Sequence, residues 1–179
     1  MELSPRGHEQ ARALAAWLRR KPLDAIYASP MKRVQQTLVP LLKNGAPRPV
    51  VLPGLREVDF GDWTGLGWEA VQEKFGARAS EWLHRLELGR VPNGETGAAF
   101  CERVEPCLRQ ILGQHQGQIV AIVCHGGVIR MMISLLAELP LSKISLFDIE
   151  YASISQIMLH PHRVEFELLN FAPWRDLSE

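Results

Sequence analysis

Ile119-Val120-Ala121-Ile122-Val123-Cys124-His125-Gly126-Gly127-Val128-Ile129-Arg130 is a β-branched run that stops at a histidine, turns through two glycines and continues as an apolar helical segment. A short continuous apolar run of this kind predicts a buried strand of a parallel sheet. His125 then stands at the carboxyl end of that strand, facing the amide groups of a new helix. Open α/β sheets bind ligands at that edge, and helix N-termini attract anions. The stretch therefore predicts an α/β fold and chemistry on a negatively charged group, most simply a phosphate.

Outward from it, the same alternation recurs. Ser4-Pro5 predicts a capped helix start, and Ala11, Leu14, Ala15 and Leu18 continue it with helical spacing toward Pro22. Ala25-Ile26-Tyr27 reads as a short buried strand. Ser29-Pro30 repeats the cap signal and predicts a second helix to about Leu42, ended by Asn44-Gly45-Ala46-Pro47. Pro49 to Leu52 reads as another strand. Residues 53–94 form a candidate lid or insert, with Phe60, Trp63, Trp68 and Trp82 among its aromatic residues; core packing explains such residues equally well. A helix is expected from Thr96 to about Gln116, and two late strands near Ser153–Leu159 and Val164–Leu169. Helices alternating with strands imply a mostly parallel sheet covered on both faces, a three-layer sandwich in a single domain spanning 1–179.

Composition narrows the function classes. The chain has 179 residues, with 20 Lys and Arg against 20 Asp and Glu. That balance gives no overall electrostatic pull toward nucleic acid or a membrane surface, so any anion site must be local. No apolar run is long enough to span a bilayer, and the first residues lack a signal-peptide core. Cys101, Cys107 and Cys124 fit a reduced cytoplasmic chain better than a disulfide framework. Neither C-x-x-C nor H-x-x-x-H spacing occurs, so no metal and no cofactor are expected. A homo-oligomer is compatible with the sequence.

Two strand-to-helix turns carry the candidate chemistry. One is Tyr27-Ala28-Ser29-Pro30-Met31-Lys32-Arg33; the other is Cys124-His125-Gly126-Gly127. In a parallel sheet both lie at one edge, where an arginine fork, an imidazole and two helix N-termini would make a phosphate pocket. Taken singly, Arg33 reads as a solvated helix arginine and His125 as a hydrogen-bonded strand end; their equivalent topological places favour a site. Between them, Glu57, Asp59 and Asp62 sit among apolar residues and glycines, where one carboxyl could be desolvated and kept protonated to serve as an acid. A solvated acidic loop explains these three equally well. Cys124 and His125, as neighbouring strand residues, point to opposite faces and do not form a thiolate–imidazole pair.

Five motifs, in order, resemble those of the histidine phosphatase superfamily, also called phosphoglycerate mutase-like. They are Leu3-Ser4-Pro5-Arg6-Gly7-His8-Glu9-Gln10-Ala11, Ser29 through Thr37 with Arg33 at its centre, Leu55-Arg56-Glu57 with Phe60-Gly61-Asp62-Trp63, Pro92-Asn93-Gly94-Glu95-Thr96, and Val123-Cys124-His125-Gly126-Gly127. Tyr151-Ala152-Ser153-Ile154-Ser155 is similar to the α-ribazole phosphatase-like branch. The resemblance implies a phosphomonoesterase working through a phosphohistidine on a small phosphorylated metabolite. Carried over by motif, Arg33, His125 and Gly126 would hold phosphate, His125 would be the second pocket histidine, and Glu57 would donate the proton.

The family's nucleophile belongs to an R-H-G motif at the end of a first strand, upstream of the Leu3 segment. Arg6-Gly7-His8 has those letters in another order, on a helix. The expectation is a shortened family member, missing its first strand and inactive or weakly active. The rival expectations are a non-catalytic phosphate-binding relative and a phosphoglycerate mutase with the same pocket.

Overall fold

A computed structural model describes residues 1–43 and 45–177; Asn44, at the expected helix break, lies outside them. Three short strands, β1 (Ala25–Ala28), β2 (Val50–Val51) and β3 (Val120–Val123), form a parallel sheet in the order β2-β1-β3. On one face lie α1 (Pro5–Leu18) and α2 (Lys32–Leu42), on the other α5 (Gly97–Gln114) and α6 (Gly126–Ala137). The segment between β2 and α5 carries α3 (Trp68–Phe75) and α4 (Trp82–Glu87). The late strands β4 (Ile154–His160) and β5 (Arg163–Phe171) form an antiparallel hairpin, followed by the short α7 (Pro173–Asp176).

The period-2 alternation of the strands sorts their side chains between two cores. Ile26 and Ala28 join Leu14, Leu18, Val34 and Leu38 under α1 and α2, while Tyr27 joins Phe100, Val104, Ile111 and Val128 under α5 and α6. In β3, Ala121 and Val123 pack against the first core, and Val120 and Ile122 against the second. The expected three-layer α/β architecture is therefore present. In the 53–94 segment, Trp63, Leu83, Leu86 and Val91 are buried in the larger core, whereas Trp68 is exposed.

Two local expectations fail for identifiable reasons. Ser29 does not cap the second helix: α2 begins at Lys32 after Met31, without a side-chain cap, and the Ser29 hydroxyl meets His125 instead. Nor is β3 fully buried. All four of its residues are half-buried, although it is among the most apolar strands of the chain. Among the described residues it pairs only with β1, while β4 pairs only with β5. Both sheets nevertheless share the same two cores, since Ile154 packs with the first and Ile157 and Leu169 with the second. One sandwich thus holds two sheets, and among the described residues β3 has one edge without a strand partner.

Candidate active site

Strand register brings the predicted turns together. Ala28 pairs with Val123, and the Ser29 amide donates to the Val123 carbonyl at 3.0 Å. One residue further on, the Ser29 hydroxyl and His125 Nε2 are 2.7 Å apart, both residues buried. Ser29 Oγ also accepts the Met31 amide at 3.3 Å, which fixes the entry to α2. Arg33 follows in the first turn of that helix. His125 is the residue preceding α6, so its ring sits at that helix's positive end.

Burial is the main force on His125. It lowers the imidazole from 6.5 to about 3, and the charges of Arg33 and Arg103 push the same way. The ring is neutral at neutral pH. Glu57 moves in the opposite direction: burial raises its carboxyl, against the lowering effects of the Val58 and Gly127 amides and of Arg33 and Arg103. Its Oε1 accepts Val58 N at 3.0 Å and its Oε2 accepts Gly127 N at 3.3 Å, so it reaches the first turn of α6 beside His125. A Cβ on Gly127 would lie 2.4 Å from Glu57 Oε1, so a side chain there would push the carboxyl aside. Of the three candidate carboxylates, Glu57 alone is desolvated this way. Asp59 and Asp62 are exposed; Asp59 Oδ1 accepts Gly61 N and Asp62 accepts the Asn93 amide.

The two arginines that act on both groups differ sharply. Arg103 spends all five of its donors inside the protein, on Glu95 and on the carbonyls of Gly54, Arg56 and Glu57. Among the described residues, the half-buried Arg33 guanidinium has no hydrogen-bond or ion-pair partner. Its fork is available to a ligand. Arg130, one turn into α6, donates to Gly126 O and Phe147 O and lies 6.0 Å from the Trp82 ring. Sequence reasoning missed the roles of Ser29 toward His125 and of Arg103 toward the Glu57 loop. The first was masked by a good cap signal; the second rests on contacts more than forty residues apart in sequence.

The structure therefore brings Arg33, Glu57, His125 and Gly126 to one sheet edge, with a free guanidinium, a neutral imidazole and a carboxyl held toward its protonated form. The model for the histidine phosphatase superfamily, branch 1, matches residues 1–172. The chain belongs to the histidine phosphatase superfamily. Phosphoserine phosphatase 1 of Hydrogenobacter thermophilus is 32% identical over 162 residues, covering 90% of this chain and 77% of that protein. The adenosylcobalamin/alpha-ribazole phosphatase of Salmonella typhimurium is 28% identical over 174 residues, covering 97% and 86%. The crystal structure of the alpha-ribazole phosphatase from Shigella flexneri superposes with a TM-score of 0.79 at 27% identity, over 94% of this chain and 83% of that one. The phosphoglycerate mutase-like fold and the α-ribazole phosphatase-like resemblance both hold. Among the described residues, no helix is long and apolar enough to cross a membrane.

Proposed function

We propose that this protein is a phosphomonoester hydrolase of the phosphohistidine type, weakly active or inactive as the chain stands. The observation that carries the reading is the uncommitted Arg33 fork beside a neutral His125 and a desolvated Glu57. Arg33, His125 and the backbone at Gly126 hold the phosphoryl oxygens; preorganised donors of this kind are usually the largest catalytic contribution. As a histidine nitrogen bonds to phosphorus and the P–O bond breaks, Glu57, kept toward its acid form by burial, gives its proton to the leaving oxygen. It then takes a proton from the water that releases orthophosphate. Three free cysteines fit a reduced, cytoplasmic setting.

The attacking nitrogen is not supplied by the groups at this edge. Ser29 has no exposed surface, and burial pushes the Cys124 thiol up to about 12, so neither is a competent nucleophile. His8 lies on α1, where it lines a groove with Arg12 and Gln36. The unpaired edge of β3 leads directly to Cys124 and His125. An extended segment paired there would end beside the pocket, as strand addition to an open edge requires. Residues 1–179 alone are therefore expected to turn over p-nitrophenyl phosphate weakly or not at all. Turnover by the pure chain that disappears in His125→Ala would overturn this part of the proposal.

A further inference from the structure

The geometry points to Arg103, held by Glu95, as the residue that positions Glu57. This rests on the reading of Glu57 as the proton donor. Arg103 rises from α5 under the loop that follows β2. Nη1 donates to Gly54 O and to Arg56 O, both at 2.7 Å, and Nη2 donates to Glu57 O at 3.0 Å. Glu95 locks the fork from behind, with Nε to Oε1 at 2.6 Å and Nη2 to Oε2 at 2.8 Å. The same Glu95 Oε2 accepts the Asp59 amide at 3.2 Å. The backbone is thus gripped on both sides of Glu57, by one bidentate pair whose side chains are 15% and 8% exposed. Only a planar guanidinium serves three carbonyls and a carboxylate at once; a lysine brings the charge without the fork. Gly54 allows the approach, because a Cβ there would meet the Arg103 carbonyl at 2.5 Å.

Glu57 is faced by the amides of Val58 and Gly127, by Arg33 from α2, Arg103 from α5 and Arg130 from α6, and by Cys124 just past the end of β3. Within that set, Arg103 has two effects of opposite sign. Its charge alone lowers the Glu57 titration. Its hydrogen bonds hold the loop that keeps the carboxyl desolvated, and so keep the titration high. Removing a mere charge would raise the Glu57 midpoint; removing a positioning residue lets the carboxyl move toward water and lowers it.

The test is the pH titration of the Glu57 Cδ resonance in 13C-glutamate-labelled protein, assigned by its disappearance in Glu57→Gln. In Arg103→Lys and Arg103→Gln the midpoint is expected to fall from its raised position toward the ordinary 4.5. Glu95→Gln, which loosens the grip while leaving Arg103 in place, is expected to shift it the same way. A wild-type midpoint in Arg103→Lys, or a higher one in Arg103→Gln, overturns the inference. So does loss of the folded amide spectrum in all three variants, because the pair would then be holding the domain rather than the carboxyl. The titration requires neither turnover nor bound phosphate, so failure of the phosphatase reading leaves it a separate result.

Discussion

Gly61→Ala is expected to cost about 3 kcal/mol or more of stability, among the largest effects of any single methyl group in this chain. Gly61 has φ of +50°, in the left-handed region, and a Cβ there would lie 2.2 Å from Pro92 O and 2.4 Å from Gly94 N. These are backbone atoms and cannot swing aside. The contact is where the two motif-bearing loops meet: Asp62 N donates to Pro92 O at 3.0 Å, and Glu95 N to Asp59 O at 2.9 Å. Left-handed strain contributes roughly 1–2 kcal/mol and overpacking roughly 1–3 more. Gly65 is the control, with φ of +81° and nothing within 4 Å of its added Cβ. Gly65→Ala should therefore cost only the strain, about 1–2 kcal/mol. Urea unfolding of both variants checks this; equal losses would contradict the close approach.

Acid should unfold the protein through His125. The folded state holds this imidazole at about 3 against an ordinary 6.5. Between those values the unfolded chain binds the proton and the folded one does not, so stability rises with pH across the window and is lost as pH falls. Measured by urea unfolding, the loss from this group is expected to be about 3 kcal/mol at pH 4 relative to pH 7, and about 4 near pH 3. Glu57 works the other way. Its raised folded titration penalises the folded state above that range, and the penalty is relieved as pH falls through it. His125→Gln should remove the acid loss and leave the Glu57 gain. An unchanged pH slope in that variant would show that His125 is not the buried base that sets it.

The β-branched run ending at His125 made both the fold and the edge of the site legible in sequence, because a buried strand and a glycine turn are local signals. Arg33 was legible for the same reason, sitting at the equivalent turn after β1. Ser29 reads in sequence as a helix cap, which it is not. Its side chain answers to a histidine 96 residues away, and nothing local distinguishes that use from capping. Glu57 could be named but not separated from Asp59 and Asp62 as a desolvated acid, since its burial depends on Gly127 and the start of α6. Arg103 carried no motif; three of its five hydrogen bonds exist only once α5 packs beneath the Gly54–Asp59 loop. Among the described residues β3 pairs only with β1, and its half-burial is a tertiary fact that its own apolar letters contradict.

Calorimetric titration of the 179-residue chain with orthophosphate at pH 7 tests the central claim most directly. A saturable, one-to-one heat is expected, weakened about 10-fold to 100-fold in Arg33→Ala, the loss of a charge-assisted fork worth roughly 1.5–3 kcal/mol. No saturable heat, or the same affinity in Arg33→Ala, would mean that this sheet edge is not a phosphate pocket.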